Sequence, residues 1–489
     1  MNTKSETIYI TPQILEKITG GKWINYDESL RFTGVASHGV IGKDNISFAI
    51  ATEYWRNKKG VDVETELLKI FKKGASAIVV DRSEYCRFFN RPMLVVSDVN
   101  EAMKKVGVSV REMLNPQTVL VAGSVGKTGF KTQLKHILQP MANTHAVINS
   151  ANVKLPILYS LASLREDDQV EIVEVSGAAR YQVGIERSTI VQPDIVVFTD
   201  TSLNHMRVHK TQENFFKAKA SAVVGMRPGG CCILNADAEN YKEIALEIKN
   251  FRDDISVFTF AENKADATIV SKIFNNQMLR WEITAQIEDQ RVSYFTPLFQ
   301  SHAPLQSVGA LLVVKKLGYD VQKAASNYSE LISYETMGKL FEMTVSENKK
   351  IRFYDQSLRG ALQGMRTAFE DLKNLKLEGK IVAVLGGSSI DEDGEFTKTQ
   401  HQEMATLVNQ SPIDKLYTTG PYLDYMFDKL DQQTKKKLII HTDNRDEIIS
   451  LLKQELEDGD LLFVMGSSYL KLEDIAKGIL AFGSYQQRI

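Results

Sequence analysis

Val119-Leu120-Val121-Ala122-Gly123-Ser124-Val125-Gly126-Lys127-Thr128 is the stretch from which the rest of the chain can be read. A β-branched run ends in a glycine-bearing turn, and Lys-Thr then opens a helical pattern. Strand, loop and helix in this order aim backbone N–H groups and a helix N-terminus at a phosphate. Lysine neutralises phosphate charge, and threonine offers a hydroxyl oxygen that suits Mg²⁺. The long form of the motif, G-x-x-x-x-G-K-[ST], is not met, because Val121 stands where its first glycine belongs. The shorter Gly-x-x-Gly-Lys-Thr form is met. We expect a nucleotide phosphate at Gly123, Ser124, Val125, Gly126, Lys127 and Thr128, with a plain structural turn as the competing reading.

Outward from this loop, strands and helices alternate. Apolar runs at Thr118–Ala122, Val170–Val175, Asp194–Thr199 and Cys231–Asn235 predict a mainly parallel sheet, and Ile255–Phe260 and Ala267–Ile273 extend it. Before it, Thr11-Pro12 is a helix start whose apolar stripe stops at Gly20-Gly21. Glu64 to Lys73 reads as an amphipathic helix, followed by a buried strand at Ala75 to Val80. After it, runs at Ile381–Leu385, Lys415–Thr418, Leu438–His441 and Leu461–Met465 are separated by helical stretches. The expected class is α/β in three domains: 1–114, a central 115–333 with the phosphate loop on a parallel sheet, and 334–489 as a Rossmann-like doubly wound sheet. A chain of 489 residues exceeds what one core holds.

Composition narrows the partners. With 59 basic and 61 acidic residues no global field favours nucleic acid or an anionic membrane. No apolar stretch is long enough for a membrane helix, and the N-terminus lacks the apolar core of a signal peptide, so a cytoplasmic protein is expected. Cys86, Cys231 and Cys232 form no CxxC pair, and the last two fall in an apolar run, which reads as buried strand cysteine.

Further signals follow the loop in order. Glu174 ends the run Val-Glu-Ile-Val-Glu and leads into Val175-Ser176-Gly177-Ala178; Pro193-Asp194-Ile195-Val196-Val197 leads to Asn204-His205; then come Phe216-Lys217-Ala218-Lys219 and Asn235-Ala236-Asp237. Taken singly, Glu174 could pair with a nearby lysine, His205 could be a loop histidine, and Lys219 a solvated helix residue. Together with the loop, they resemble the Mur ligases over nearly the whole chain, most of all the MurF type, which adds D-Ala-D-Ala.

The resemblance implies an ATP-dependent ligase that activates a carboxylate as an acyl phosphate and couples it to an amine, releasing ADP and phosphate. It implies ATP and one or two Mg²⁺ as cofactors, with Thr128, Glu174, His205 and Lys219 at the metal and Lys219 carbamylated. Lys127, Glu174, His205 and Lys219 would carry the catalysis; Asn235, Asp237, Lys339 and Asp355 would join the loop in holding the nucleotide. Its partners are a carboxylate and an amine, small molecules or peptides, with neither nucleic acid nor membrane.

Both flanking regions depart from the family pattern. Ala36-Ser37-His38-Gly39-Val40 stands in place of the Ser/Thr-Asp-Ser/Thr-Arg segment that binds a UDP-sugar. Asp355-Gln356-Ser357-Leu358-Arg359-Gly360-Ala361-Leu362 replaces Asp-Asp-Ser-Tyr-Asn-Ala-Asn-Pro, and Gly386 to Gly394 replaces Gly-Asp-Met-x-Glu-Leu-Gly, although His401 sits where the family has a histidine. Lys339 keeps a positive charge where the family has arginine. A carboxylate other than UDP-MurNAc-tripeptide is therefore expected. The alternatives are a genuine D-Ala-D-Ala-adding ligase, a phosphotransferase or nucleotide hydrolase, and a silent nucleotide-binding scaffold.

Overall fold

The computed structural model describes residues 10–487 except 33, 37–44, 147–153, 176–179, 204–208, 332–337, 359, 361 and 388–393. Its strands form three sheets, and the chain falls into two compact units, residues 1–267 with 309–324 and residues 268–308 with 325–489.

Unit 1 begins with the helix Pro12–Thr19, capped as the sequence predicts: the Thr11 side chain accepts from the Ile14 amide, and Gly20 closes the helix at φ 71°. A five-stranded sheet follows, made of β1 (Lys22–Ile24), β2 (Gly34–Ala36), β3 (Asn45–Phe48), β4 (Ala77–Val80) and β5 (Met93–Val95) in the order β1-β5-β4-β3-β2. All its pairings are parallel except β1 with β5.

The phosphate-loop strand β6 (Gln117–Ala122) lies in a wholly parallel array with β7 (Thr144–His145), β8 (Val170–Glu174), β9 (Ile195–Phe198), β10 (Cys231–Asn235) and β11 (Ser256–Ala261). The order is β11-β10-β9-β6-β8-β7. Strands buried on both faces read as unbroken apolar runs, which is why the sequence placed β6, β8 and β10 to within a residue. Of the two cysteines expected to be buried in a strand, Cys232 is fully buried in β10, whereas Cys231 at its first position is only half-buried. The chain moves from β6 toward β7 and β8 on one side and β9 to β11 on the other, so β6 stands at the switch point where an open α/β sheet binds its ligand.

The helix Val99–Leu114 ties the first sheet to this array. Gly107 lets it approach another helix so closely that a Cβ there would lie 3.0 Å from the Leu158 carbonyl oxygen. Arg111, fully buried, donates to the carbonyls of Val191 and Gln192 at 3.1 Å each and lies 3.9 Å from Glu171 and Asp194.

Unit 2 takes up β12 (Ala267–Asn275) from Thr268 onward, and β13 (Arg280–Ile287), which pairs antiparallel with β14 (Gln290–Thr296). Its main sheet comprises β15 (Lys339–Ser346), β16 (Lys349–Gln356), β17 (Ile381–Gly386), β18 (Lys415–Thr419), β19 (Leu438–His441), β20 (Leu461–Met465) and β21 (Ser484–Gln487), ordered β19-β18-β17-β20-β16-β15-β21. The first five run parallel, as a doubly wound sheet requires, and β15 and β21 add an antiparallel edge. Among the described residues, no helix is long and apolar enough to cross a membrane.

Candidate active site

Four neighbouring strands of the parallel array deliver the site. Gly123 follows β6, Glu174 ends β8, Thr199 and Asp200 follow β9, and Asn235 ends β10. All four points are carboxyl ends.

The loop is held by the segment after β9. The Ser124 amide donates to the Asp200 carbonyl at 3.0 Å and the Ser124 hydroxyl to the Ser202 carbonyl at 2.6 Å. The Thr199 hydroxyl donates to the Val125 carbonyl at 2.6 Å. Gly123 has φ 136°, and a Cβ there would lie 2.4 Å from Thr199 Oγ1, so conformation and space both demand glycine. Gly126, at φ 81°, opens the helix Lys127–Leu138 with no side-chain cap. The first N–H groups of that helix are its uncompensated donors and face the loop.

Two lysines converge on one carbonyl. Lys127 Nζ donates to Gly123 O at 3.0 Å and Ser124 O at 3.3 Å, and Lys219 Nζ donates to Gly123 O at 3.4 Å. Burial lowers the pKa of Lys127, against the opposing pull of Glu174 and Asp200. Lys219 is 4% exposed, and burial, reinforced by the neighbouring Lys127 charge, brings its pKa down to about 7, with Asp200 acting the other way. Lys217 lies on the far side of the helix Gln212–Ala220, ion-paired with Glu213 at 2.6 Å at the surface.

The Thr128 hydroxyl lies 2.9 and 3.1 Å from the two carboxylate oxygens of Glu174, which is buried. Lys131 Nζ is 3.2 Å from the same carboxylate, and its pKa is lowered by burial while Glu174 raises it. Thus Glu174 has both the lysine partner of the plain reading and the threonine neighbour of the functional one. A hydroxyl and a carboxylate side by side are hard oxygen donors. With phosphate oxygens, they fit Mg²⁺, which takes few protein ligands. Among the described residues, no group of three or more His, Cys, Asp or Glu gathers. His205 and Asn204 are outside the described residues.

Asn235 supports the turns around the site. Its Nδ2 donates to the Thr199 carbonyl at 3.0 Å, and its Oδ1 accepts from the Asp237 amide at 3.0 Å. Asp237 accepts from the Glu262 amide at 2.5 Å. In unit 2, Lys339 and Asp355 face each other across β15 and β16, and Asp355 caps the Ser357 amide at 2.9 Å. Sequence reasoning missed Lys131, Thr199 and Asp200. Lys131 was findable, because one helical turn after Lys127 puts it on the same face. The polar run Thr199-Asp200-Thr201-Ser202 after a buried strand was a fainter signal.

Residues 121–313 match the Mur ligase middle domain, and residues 344–468 the Mur ligase glutamate ligase domain. The UDP-N-acetylmuramoyl-tripeptide–D-alanyl-D-alanine ligase of Rickettsia prowazekii is 25% identical over 407 residues, covering 82% of this chain and 86% of that protein. In fold, the chain is similar to MurF from Acinetobacter baumannii, with TM-score 0.77 and 18% identity over 96% of this chain and 98% of that one. It is also similar to MurF from Thermotoga maritima in complex with ADP, with TM-score 0.70 and 17% identity over 92% and 97%. With both domain models matching in order and a phosphate loop at the switch point of the first, the chain belongs to the Mur ligase family of ATP-dependent ligases.

Proposed function

We propose that the chain phosphorylates a carboxylate with the γ-phosphate of ATP and passes the acyl group to an amine. The observation that carries this reading is the convergence of Lys127, Lys219 and the Thr128–Glu174 pair around one loop. A carboxylate oxygen attacks the γ-phosphorus, the bond to the β-phosphate oxygen breaks, and ADP leaves. The amine nitrogen then bonds to the acyl carbon, inorganic phosphate leaves, and the nitrogen gives up a proton. Both first-step reactants are anionic. Lys127 and the helix N-terminus offset their repulsion and stabilise the charge on the phosphoryl group in transfer. Mg²⁺, held by Thr128 and Glu174 and, on the family pattern, His205, would neutralise phosphate charge.

Lys219 enters as a carbamate in this reading. An amine adds to CO₂ only when unprotonated, forming an N–C bond and releasing a proton. A pKa of about 7 leaves much of Lys219 in that form at neutral pH. The product turns a buried amine into an anion beside Lys127.

We assign the carboxylate to a compound other than UDP-MurNAc-tripeptide, because Ser37-His38-Gly39-Val40 lacks the aspartate and arginine of the uridine-binding segment. Those residues are outside the described set. The activity is spread over three domains, 1–114, 115–333 and 334–489, in a cytoplasmic enzyme. An ADP-release screen of pooled carboxylates and amines, with mass spectrometry of the products, tests the reading; ATP-dependent ADP release without any amide product sinks it. Micromolar calorimetric binding of UDP-MurNAc-tripeptide would instead return the chain to the reaction named for its relatives.

A further inference from the structure

The ends of the neighbouring strands β10, β9 and β6 are laced together crosswise. Asn235, the last residue of β10, donates from Nδ2 to the Thr199 carbonyl just past β9 at 3.0 Å. The Thr199 hydroxyl in turn donates to the Val125 carbonyl, in the loop past β6, at 2.6 Å. The pairings of Leu234 with Phe198 and of Phe198 with Ala122 put these ends level. A second tie on the β10 side runs from the Thr201 hydroxyl to the Glu239 carbonyl at 2.5 Å. Thr199 is 5% exposed and Thr201 fully buried, so neither hydroxyl has water as a ready alternative.

In a trans peptide the carbonyl and the following N–H point opposite ways. Holding the Val125 carbonyl on Thr199 therefore turns the Gly126 N–H away from β9. The Gly123–Ser124 peptide obeys the same rule. Its N–H donates to the Asp200 carbonyl at 3.0 Å, and its carbonyl faces Lys127 and Lys219 on the other side. On the phosphate-loop reading the Gly126 N–H is a phosphate donor, and Thr199 fixes its aim. The Asn235 carboxamide is itself fixed. An amide N–H can only donate, so the Asp237 amide at 3.0 Å marks the accepting end, Oδ1, and leaves Nδ2 to Thr199. Both ends of the side chain are thus engaged within the fold.

We infer that Asn235 is a positioning residue for the phosphates: it braces the Thr199 peptide, and through it the Val125–Gly126 peptide, without touching the triphosphate. This rests on the nucleotide reading of the loop. A contact to the base would serve only ligands that carry one. A brace serves any triphosphate, with or without a base.

The test titrates the full chain by calorimetry, in Mg²⁺, with ATP and with inorganic tripolyphosphate, which has no base. Asn235→Ser keeps a hydroxyl for the Asp237 amide and is too short to reach Thr199. Thr199→Val keeps the shape and loses the donor to Val125. Each is expected to weaken tripolyphosphate and ATP by the same factor, about tenfold, as fits the loss of one hydrogen bond at a buried site. The double variant should bind about as well as the poorer single one, because both act on the same peptide. Thr199→Ser, which restores the hydroxyl, should bind both ligands as wild type does. Thermal melts show which variants fold, and Asn235→Thr stands in should the serine variant unfold. Tripolyphosphate binding that is unchanged in Asn235→Ser overturns the brace, and if ATP alone weakens, Asn235 is a base contact. Losses that simply add in the double variant overturn it too. If wild type binds ATP but not tripolyphosphate, the loop has no grip of its own for Asn235 to brace, and the assignment fails. If wild type binds neither, the nucleotide reading itself has failed and the brace falls with it.

Discussion

Lys127 and Lys219, ninety-two positions apart in sequence, donate to the same carbonyl oxygen, that of Gly123. Two side-chain amines are held at one acceptor by burial and fold, and the Lys127 charge helps to keep Lys219 from binding a proton. On the phosphate-loop reading it is Lys127 that meets the phosphate charge there, and the first prediction follows. Lys127→Ala should lower ATP-dependent turnover about 30- to 1000-fold, equivalent to about 2–4 kcal/mol of lost phosphate stabilisation, with circular dichroism unchanged. Wild-type turnover in the folded variant would remove the phosphate-loop assignment.

Lys219→Ala should likewise lose most activity, and acetate or formate should restore part of it by supplying the missing carboxylate. Lys217→Ala, on the opposite face, should stay within about 0.5 kcal/mol of wild-type stability and keep its turnover. Independently of activity, ¹³C-bicarbonate should give a carbamate resonance that Lys219→Ala lacks. If both variants are fully active and no resonance is seen, Lys219 is a structural lysine.

Burial of Lys219 also makes a stability prediction. Its pKa is near 7 in the folded chain against 10.5 for the free side chain. Between those values, the unfolded chain binds the proton and the folded chain does not, so stability rises with pH across that window and is lost as pH falls toward 7. Lys219→Met removes this term. In CO₂-free buffer, the variant should melt above wild type at pH 7, and the gap should narrow as pH approaches 10. Equal melting points across the range would show that the amine is solvated.

Thr128 and Glu174 should separate in their effects. Thr128→Val keeps the shape and loses one oxygen donor, so the Mg²⁺ concentration giving half-maximal activity should rise about tenfold or more with little change in melting. Glu174→Gln also strips buried Lys131 of its counter-charge, and that should cost about 3–5 kcal/mol in denaturant unfolding. A Glu174→Gln variant as stable as wild type would mean that Lys131 has another anchor.

The central array was legible because its strands are buried on both faces and so appear as plain apolar runs. Lys217 and Lys219 were also separable, because two positions along a helix turn a side chain nearly to the other face. The clasp of Thr199 and Asp200 on the phosphate loop was not legible, since nothing local links residues 199–202 to 123–125; only the parallel pairing of β6 with β9 brings them together. The strands β15 and β21 were missed for a related reason. As an antiparallel edge, they carry mixed polar and apolar residues, such as Lys339 and Glu342 around Leu340 and Phe341, without the clean run of a central strand.

The buried guanidinium of Arg111 sets a limit on recombination. Its two carbonyl acceptors belong to Val191 and Gln192, so the helix bearing it is a working part of the parallel array even though it precedes the phosphate loop in sequence. A chimera that trades the first sheet for that of a relative has to be spliced ahead of Val99. A junction at Asn115 would carry the arginine off with the exchanged segment and take the donor from the buried Val191 carbonyl and the half-buried Gln192 carbonyl. Lineages that exchange the first sheet by recombination are therefore expected to inherit this helix with the parallel array.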